Sequence, residues 1–268
     1  MRKTGRIAAA IHGAGIASLA VCVLALALSG CGGREKITSF SQLEGKEFAV
    51  PTGTMADQLV LSKFPKAKFV YFNTVLDCAL AVKNGKADAA AYDEPILRNI
   101  AAKNEGITVL DEMLTVDNYG IAVQHGRPEL KVAIDGLLAE MKADGSYDEM
   151  RSRWLPSSGA PAPMPEITLD GTNGTLVLGT AAVTEPFSFV DGSQQVVGLD
   201  IEIAQRVAKK LGMKLEVVNM DFGGMIPALV SGKVDMIAAC ITITEERGQK
   251  VLFSEPYYRG GIAALVKK

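Results

Sequence analysis

The run Thr242-Ile243-Thr244-Glu245-Glu246-Arg247 carries the clearest chemistry in this chain. Thr244 has the side chain of a helix N-cap, and Glu245 and Glu246 then fall in the first turn, where carboxylates suit the positive end of the helix dipole. Arg247 does not suit that end, because a cation three residues past the cap is mildly repelled there. An anion shared by the guanidinium and the exposed N–H groups of the first turn would compensate, and a carboxylate matches the guanidinium fork. The plain alternative is a surface pair between Arg247 and Glu245 or another acid, which contributes little.

Two other places offer complementary groups. Gly53-Thr54-Met55 follows a β-rich run and precedes a helical pattern, so Thr54 reads as an N-cap at a helix start suited to an anion. It is equally a cap and nothing more. Asp93 closes another β-rich run and is followed by Glu94-Pro95. That places a carboxylate at the carboxyl end of a strand, where α/β folds bind ligands, although aspartate before a proline-containing first turn is also a common helix start.

The elements that must position these groups alternate. Residues 47–50, 68–72 and 87–92 are short β-rich runs separated by helical patterns at 55–64 and 75–84. Residues 119–123 form a further strand, and a long helical pattern follows through Lys131 and Met141, broken at Gly145, with a shorter helix ending near Trp154. Beyond them lies Pro156-Ser157-Ser158-Gly159-Ala160-Pro161-Ala162-Pro163-Met164-Pro165, whose prolines suit an extended, semi-rigid linker. The pattern then repeats, with strands at 175–180, 214–219 and 234–239 and an amphipathic helix at 200–211 ending at Gly212. Such alternation predicts an α/β fold with parallel strands. Residues 82–89 even echo 230–236: helix, glycine stop, then a buried strand beginning near an aspartate.

Composition narrows the function. The chain has 268 residues, 48% of them hydrophobic, enough for one large domain or two lobes. Arg2, Lys3 and Arg6 precede an apolar run at 7–28, and Leu28-Ser29-Gly30-Cys31 follows. This reads as a lipoprotein signal over 1–30 with Cys31 as the lipidated residue; a transmembrane anchor is the alternative. Without residues 1–30, 25 basic and 30 acidic side chains remain, a net charge of −5. No basic patch points to nucleic acid. Beyond Cys31 only Cys78 and Cys240 remain, far apart and with no C-x-x-C or histidine cluster, which speaks against a zinc site, a disulfide framework or any metal cofactor.

Residues 176–267 closely resemble the first lobe of the polar amino-acid-binding family of periplasmic solute receptors, the soluble partners of ABC importers. The motifs are D-I-E at Asp200, I-P-A-L at Ile226, T-I-T-E-E-R at Thr242 and F-S-E-P-Y-Y at Phe253. Residues 37–154 resemble the same family's second lobe through G-T at Gly53 and D-E-P at Asp93. The resemblance implies a two-lobe periplasmic-binding-protein fold of type II, closing on its ligand by a hinge. It implies that Arg247 and Thr242 hold the ligand α-carboxylate with Thr54 and Met55 from the opposite lobe. It further implies that Asp93 holds the α-ammonium, that Phe222 stacks on the ligand, and that Ala239 and Cys240 offer backbone groups. Phe187, in Thr184-Glu185-Pro186-Phe187, and Tyr92 are the remaining aromatic candidates. This chain departs from the pattern at Ala181, where many members carry aspartate, at Thr184, where an aromatic ring is usual, and at Pro51, where some carry lysine.

The lobes stand in reverse order, so the expectation is a circular permutation. The second-lobe-like domain is expected at 37–122 after a tether at 31–36. Residues 123–155 cross over and pack on the other lobe, 156–174 link, and the first-lobe-like domain fills 175–268. One crossing between lobes, at 119–123, is expected to be continuous and the other cut. The expected function is capture of a polar L-α-amino acid outside the cytoplasmic membrane, by a monomer tethered through lipid, and delivery to an ABC permease. No catalysis or cofactor is expected. Alternatives are an enzyme resembling prephenate or arogenate dehydratases, a ligand-sensing subunit of a signalling system, and a domain-swapped dimer.

Overall fold

The computed structural model describes residues 36–156 and 162–268. The expected signal at 1–30, the expected lipidation site Cys31 and the centre of the proline linker lie outside the described residues. No helix among the described residues is long and apolar enough to cross a membrane.

Through the first half the elements are β1 (Glu47–Pro51), α1 (Ala56–Lys63), β2 (Lys68–Phe72), α2 (Val75–Lys83), β3 (Ala89–Asp93) and α3 (Glu94–Lys103). Then come β4 (Ile107–Met113), β5 (Asp117–Tyr119), β6 (Ala122–Val123), α4 (Pro128–Asp144) and α5 (Ser146–Trp154). The second half holds β7 (Thr175–Thr180), β8 (Val183–Thr184), β9 (Ser188–Val190), β10 (Val196–Val197), α6 (Leu199–Leu211), β11 (Lys214–Asn219) and α7 (Met225–Val230). It ends with β12 (Met236–Ile237), α8 (Glu245–Gly248), β13 (Leu252–Phe253), β14 (Tyr258–Gly260) and β15 (Ile262–Lys267).

Local chemistry sets several of these boundaries. Thr74 caps α2, its hydroxyl accepting the Asp77 N–H at 3.1 Å. Gly145 separates α4 from α5, and Gly212 ends α6, both with positive φ that suits glycine. In α6, Leu199, Ile203, Ala204 and Val207 recur at helical spacing and are all buried.

The strands form two five-stranded sheets with the same internal order: β2-β1-β3-β15-β4 in the first lobe and β11-β7-β12-β6-β13 in the second. In each, the first three strands are parallel, and the fourth is antiparallel and arrives from the other half of the chain. This is the two-lobe α/β architecture that the sequence predicts. The echoed segments occupy equivalent places. Gly85 and Gly232 both end a helix with positive φ. The next acid then folds back on the first strand of its sheet: Asp88 accepts the Glu47 N–H at 2.9 Å, and Asp235 accepts the Val177 N–H at 2.8 Å.

Two predictions about connectivity need correction. The expected strand at 119–123 is two strands, because the chain turns at Gly120 and Ile121 from the hinge into the second sheet. The crossing expected to be cut is continuous. Residues 262–267 read Ile-Ala-Ala-Leu-Val-Lys, and all but the last are buried, so the run enters the first sheet as a central strand between β3 and β4. The expected lobe at 175–268 therefore loses its last strand to the other lobe, and β6 at 122 already belongs to the second sheet. Both crossings are intact, and they pair with each other: β5 and β14 form a two-stranded antiparallel ribbon.

One apolar core runs from the first lobe through this ribbon into the second, by way of Tyr92, Ile96, Tyr119, Phe187, Tyr257 and Leu199. Separate clusters fill the opposite face of each sheet. The helices α4 and α5 pack on α6 of the second lobe. Glu202, fully buried on α6, fixes α5: it pairs with Arg153 and with Arg206 of its own helix, and accepts from the Trp154 indole at 2.8 Å.

The ribbon sets a steric condition. A Cβ at Gly261 would lie 2.0 Å from the carbonyl oxygen of Thr115, whereas one at Gly136, half-buried on α4, meets nothing closer than Lys210 Nζ at 4.0 Å. Gly261→Ala is expected to destabilise the fold by more than about 2 kcal/mol, while Gly136→Ala should stabilise it by about 0.5–1 kcal/mol. Urea denaturation of both variants measures the contrast; equal midpoints would contradict it.

Candidate functional site

Eight of the ten residues predicted to bind ligand line one small cavity between the lobes: Thr54, Met55, Tyr92, Asp93, Phe222, Cys240, Thr242 and Arg247. Its volume is about 20 Å³, on the scale of a single water. The first lobe contributes the end of β3 and the start of α1, and the second contributes the turn before α7 and the start of α8.

Asp93 is 4% exposed and sits at the last position of β3, opposite Ile262 of β15. Its side chain makes no helix cap. It accepts a hydrogen bond from the Tyr119 hydroxyl, which reaches it from the hinge ribbon. Burial pushes the Asp93 carboxyl up to about 7, and the Tyr119 bond opposes that rise without cancelling it.

Arg247 occupies the expected third position of a helix capped by Thr244, whose hydroxyl accepts the Arg247 N–H at 3.2 Å. The guanidinium is buried with its residue 7% exposed. It donates to the Thr242 carbonyl at 3.0 Å and lies 5.6 Å from the centre of the Phe222 ring. Among the described residues no carboxylate forms a salt bridge with it. The surface pairing with Glu245 is absent; Glu246 instead pairs with Lys250 at 3.1 Å. Burial lowers the Arg247 value, and Tyr92 and Asp93 are the leading groups that counter this. A buried cation and a buried acid thus face one cavity without being paired to each other.

Some predicted residues behave differently. Thr54 does not occupy the cap position of α1, which begins at Ala56 with Met55 before it. The Thr54 hydroxyl still receives the Ala56 N–H at 3.3 Å and donates to the Pro51 carbonyl at 2.9 Å, a local turn. Phe187 does not line the cavity. It is fully buried in the hinge, its ring edge-on to Tyr258 at 5.0 Å and to Tyr119 at 6.2 Å. Ala239 is also fully buried and belongs to the second lobe's core. Cys240 lines the cavity, held at φ 52°, a left-handed conformation uncommon for residues with a side chain.

Three site residues were not singled out by the sequence reading. Tyr119 orients Asp93. Asp200, fully buried at the start of α6, accepts the Cys240 N–H at 3.2 Å and so holds the strained turn that carries the site. Burial pushes its carboxyl up to about 7, opposed by Tyr257 and by that N–H. Tyr257 stands near enough to favour the ionised acid, yet outside hydrogen-bond geometry: its hydroxyl and Asp200 Oδ1 are both unpartnered. The periodicity of α6 held a signal for Asp200, since it shares a face with the buried Ala204, Val207 and Ala208.

Larger spaces adjoin the small cavity. One of about 640 Å³ runs past Gln58, Met225 and Lys250, and another of about 320 Å³ runs past Pro51, Ala181 and Asn219. The lobes meet closely at Gly53, where a Cβ would lie 2.9 Å from Gly223 Cα. Gly53 has φ 78°, so glycine serves both the turn and the approach. Among the described residues no cluster of three or more metal-ligating side chains occurs.

Asp93 and Asp200 carry folded values above the ordinary 3.8, so folding takes up protons between about pH 4 and pH 7. Their contribution to stability is fully present below the unfolded value and is lost as pH rises through about 7. The ligand-free protein should therefore lose unfolding free energy from about pH 5 to about pH 8, and Asp200→Asn should flatten that slope. Denaturant titrations across this range test it; a slope of opposite sign, or one unchanged in the variant, would refute it.

Residues 176–268 match the family model of the bacterial extracellular solute-binding proteins, family 3. Residues 32–159 match that of the periplasmic substrate-binding protein of phosphonate ABC transporters. The chain is 45% identical over 87 residues to a probable histidine-binding protein of Campylobacter jejuni, a match covering 32% of this chain and 34% of that one. It is 41% identical over 93 residues to the arginine-binding extracellular protein ArtP of Bacillus subtilis, covering 35% and 36%. Among solved structures, an ancestral arginine-binding protein bound to arginine is 54% identical over 32% of this chain and 38% of that one, with a TM-score of 0.31. The chain spans about a third of the length of the curated relatives it matches. The similarity to the family 3 bacterial extracellular solute-binding proteins thus covers residues 176–268, and the half before them is similar to a second family of solute-binding proteins.

Proposed function

We propose that this protein is an extracytoplasmic receptor that binds a polar L-α-amino acid between its lobes and delivers it to an ABC importer. The observation that carries this reading is the pair of buried, mutually unpaired groups, Arg247 and Asp93, on one interlobe cavity. A zwitterion satisfies both, its carboxylate on the guanidinium and its ammonium on the carboxylate. Thr242 and Thr54 add hydrogen-bonding groups from the two lobes, and Phe222 closes one wall. Relatives named for binding histidine, arginine and cystine are consistent with this ligand class. The cavity holds only about one water, so loading requires the lobes to part around the β5–β14 ribbon.

The same reading includes a permuted order of lobes, joined through the linker at 156–174, and a lipid anchor at Cys31. The identical strand order of the two sheets supports interchangeable lobes, each of which receives its antiparallel strand from the other half. An enzyme of the dehydratase kind is the second reading, favoured by one observation: a buried acid raised to about 7 could serve as a general acid. We assign Asp93 to binding instead, because a cation at its carboxylate lowers its value and removes that proton. Delivery to a permease, rather than to a sensor kinase, is part of the proposal.

A thermal-shift screen against the amino acids tests the site. A ligand at about 100 times its Kd should stabilise the wild type by about 2.7 kcal/mol, and Arg247→Ala and Asp93→Ala should abolish the shift. Binding should strengthen from about pH 6 to about pH 8, because the ammonium needs ionised Asp93. No shift with any amino acid, or intact binding in both variants, would sink the assignment. Turnover of a cyclohexadienyl substrate would favour the enzyme.

Solution scattering tests closure. Ligand should compact the wild type, whereas Gly53→Val, which wedges a side chain against Gly223, should remain expanded at the same concentration. Equal profiles for the two proteins with saturating ligand would contradict a Gly53–Gly223 closing contact.

A further inference from the structure

The cavity of about 320 Å³ adjoins the Arg247–Asp93 cavity and shares three walls with it: Thr54, Tyr92 and Phe222. Arg247 does not line it, and neither does Asp93. With an α-carboxylate on Arg247 and an α-ammonium on Asp93, two directions from the α-carbon are taken. The larger cavity of about 640 Å³ lies on the guanidinium side, since Arg247 is one of its walls. That cavity also takes Thr54, Met55 and Phe222 as walls, but its lining carries the charges of Glu246, Arg247 and Lys250. The way past Tyr92 and Phe222 leads instead into the 320 Å³ cavity, which neither charge-holding group lines.

Pro51, Ala181 and Thr184, scattered along the sequence, all line that cavity. With Val75 and Tyr92 they are its buried walls, and none carries a charge. No lysine, arginine or histidine lines the cavity. Its one acid, Asp221, is exposed, as are the carboxamides of Asn73 and Asn219. The Asn219 carbonyl oxygen already accepts the Ala182 N–H at 2.9 Å, which leaves its amino group as a donor. A carboxylate side chain would find no cation in this space. A cationic one would find only Asp221 in high dielectric, where a pair contributes little, and would be desolvated against neutral walls. A carboxamide finds hydroxyl and amide partners and carries no charge to desolvate.

We propose that the cavity formed by Pro51, Tyr92, Ala181, Thr184, Asn73 and Asn219 is the side-chain subsite of this receptor and selects a neutral polar amino acid of the carboxamide class. The proposal rests on the amino-acid-binding reading above. Calorimetric titration of the full chain with glutamine, asparagine, arginine, lysine, histidine, glutamate and aspartate tests it. Glutamine or asparagine should bind at least about tenfold more tightly than any charged amino acid. If a charged amino acid binds most tightly, the subsite assignment falls while the receptor reading stands; if none of the common amino acids binds, the receptor reading falls and takes this one with it. Ala181→Asp supplies a second reading of the same wall. A carboxylate there should raise affinity for arginine and lysine at least about tenfold and weaken glutamine, with folding checked by the ligand-free melting temperature. A folded variant whose preferences are unchanged would show that the side chain does not reach this cavity. Asp221→Asn should leave the wild-type ranking intact; loss of arginine binding in that variant would make the rim acid, not the neutral walls, the selector, and would overturn the proposal.

Discussion

The pairing of the two crossing strands, Asp117–Tyr119 with Tyr258–Gly260, is the constraint on which the rest of this molecule depends. Each crossing runs on into a sheet it does not share with its own half of the chain: β5 leads to β6 in the second sheet, and β14 leads to β15 in the first. Each of these strands lies inside its sheet, hydrogen-bonded on both sides. The ribbon therefore joins two lobes that are each built from both halves of the chain. It also reaches the chemistry. Tyr119 leaves the ribbon to hold Asp93, and it passes so close to Gly260 that a Cβ there would lie 2.6 Å from the tyrosine oxygen.

Around the small cavity, electrostatics and packing act against each other. Arg247 and Asp93 are both withdrawn from water, and burial is the first cause of the altered proton affinity of each. A direct salt bridge would relieve both, but it would also fill the space a ligand needs. The structure holds them apart instead. Arg247 is held by the Thr242 carbonyl and the Phe222 ring, and Asp93 by Tyr119. Beneath them Asp200 bonds the Cys240 N–H, which steadies a left-handed turn that an ordinary side chain adopts at some cost.

The two lobes reach the same strand order by the same local devices. A glycine ends the helix before the third strand in each, and the aspartate at 88 or 235 then ties that connection to the first strand. Because the devices are local, each sheet can form its parallel core in either chain order. Only the antiparallel strand depends on the partner half. This is the physical reason that the permuted order proposed above would leave each sheet undistorted.

Several parts of this picture were legible in the residues alone. Alternating apolar runs and helical periods located most strands and helices, since burial of one helix face or a whole strand leaves a period in the sequence. The helix start at Thr244 and the misfit of Arg247 were visible because capping and dipole effects act within one turn. Likewise, the strand end at Asp93 follows from an adjacent run. Short elements such as β8, β13 and β14 were missed, because strands of two or three residues are defined by their partners. Phe187 was assigned to the cleft, but its ring packs in the hinge; an aromatic residue in sequence carries no sign of which cavity or core it fills. The role of Tyr119, the unpaired environment of Arg247 and the meeting of Gly53 with Gly223 depend on long-range proximity. Sequence determined which groups could bind a zwitterion, through local backbone chemistry. Only the tertiary structure decided that those groups share one cavity, because that depends on how two crossing strands bring two lobes face to face.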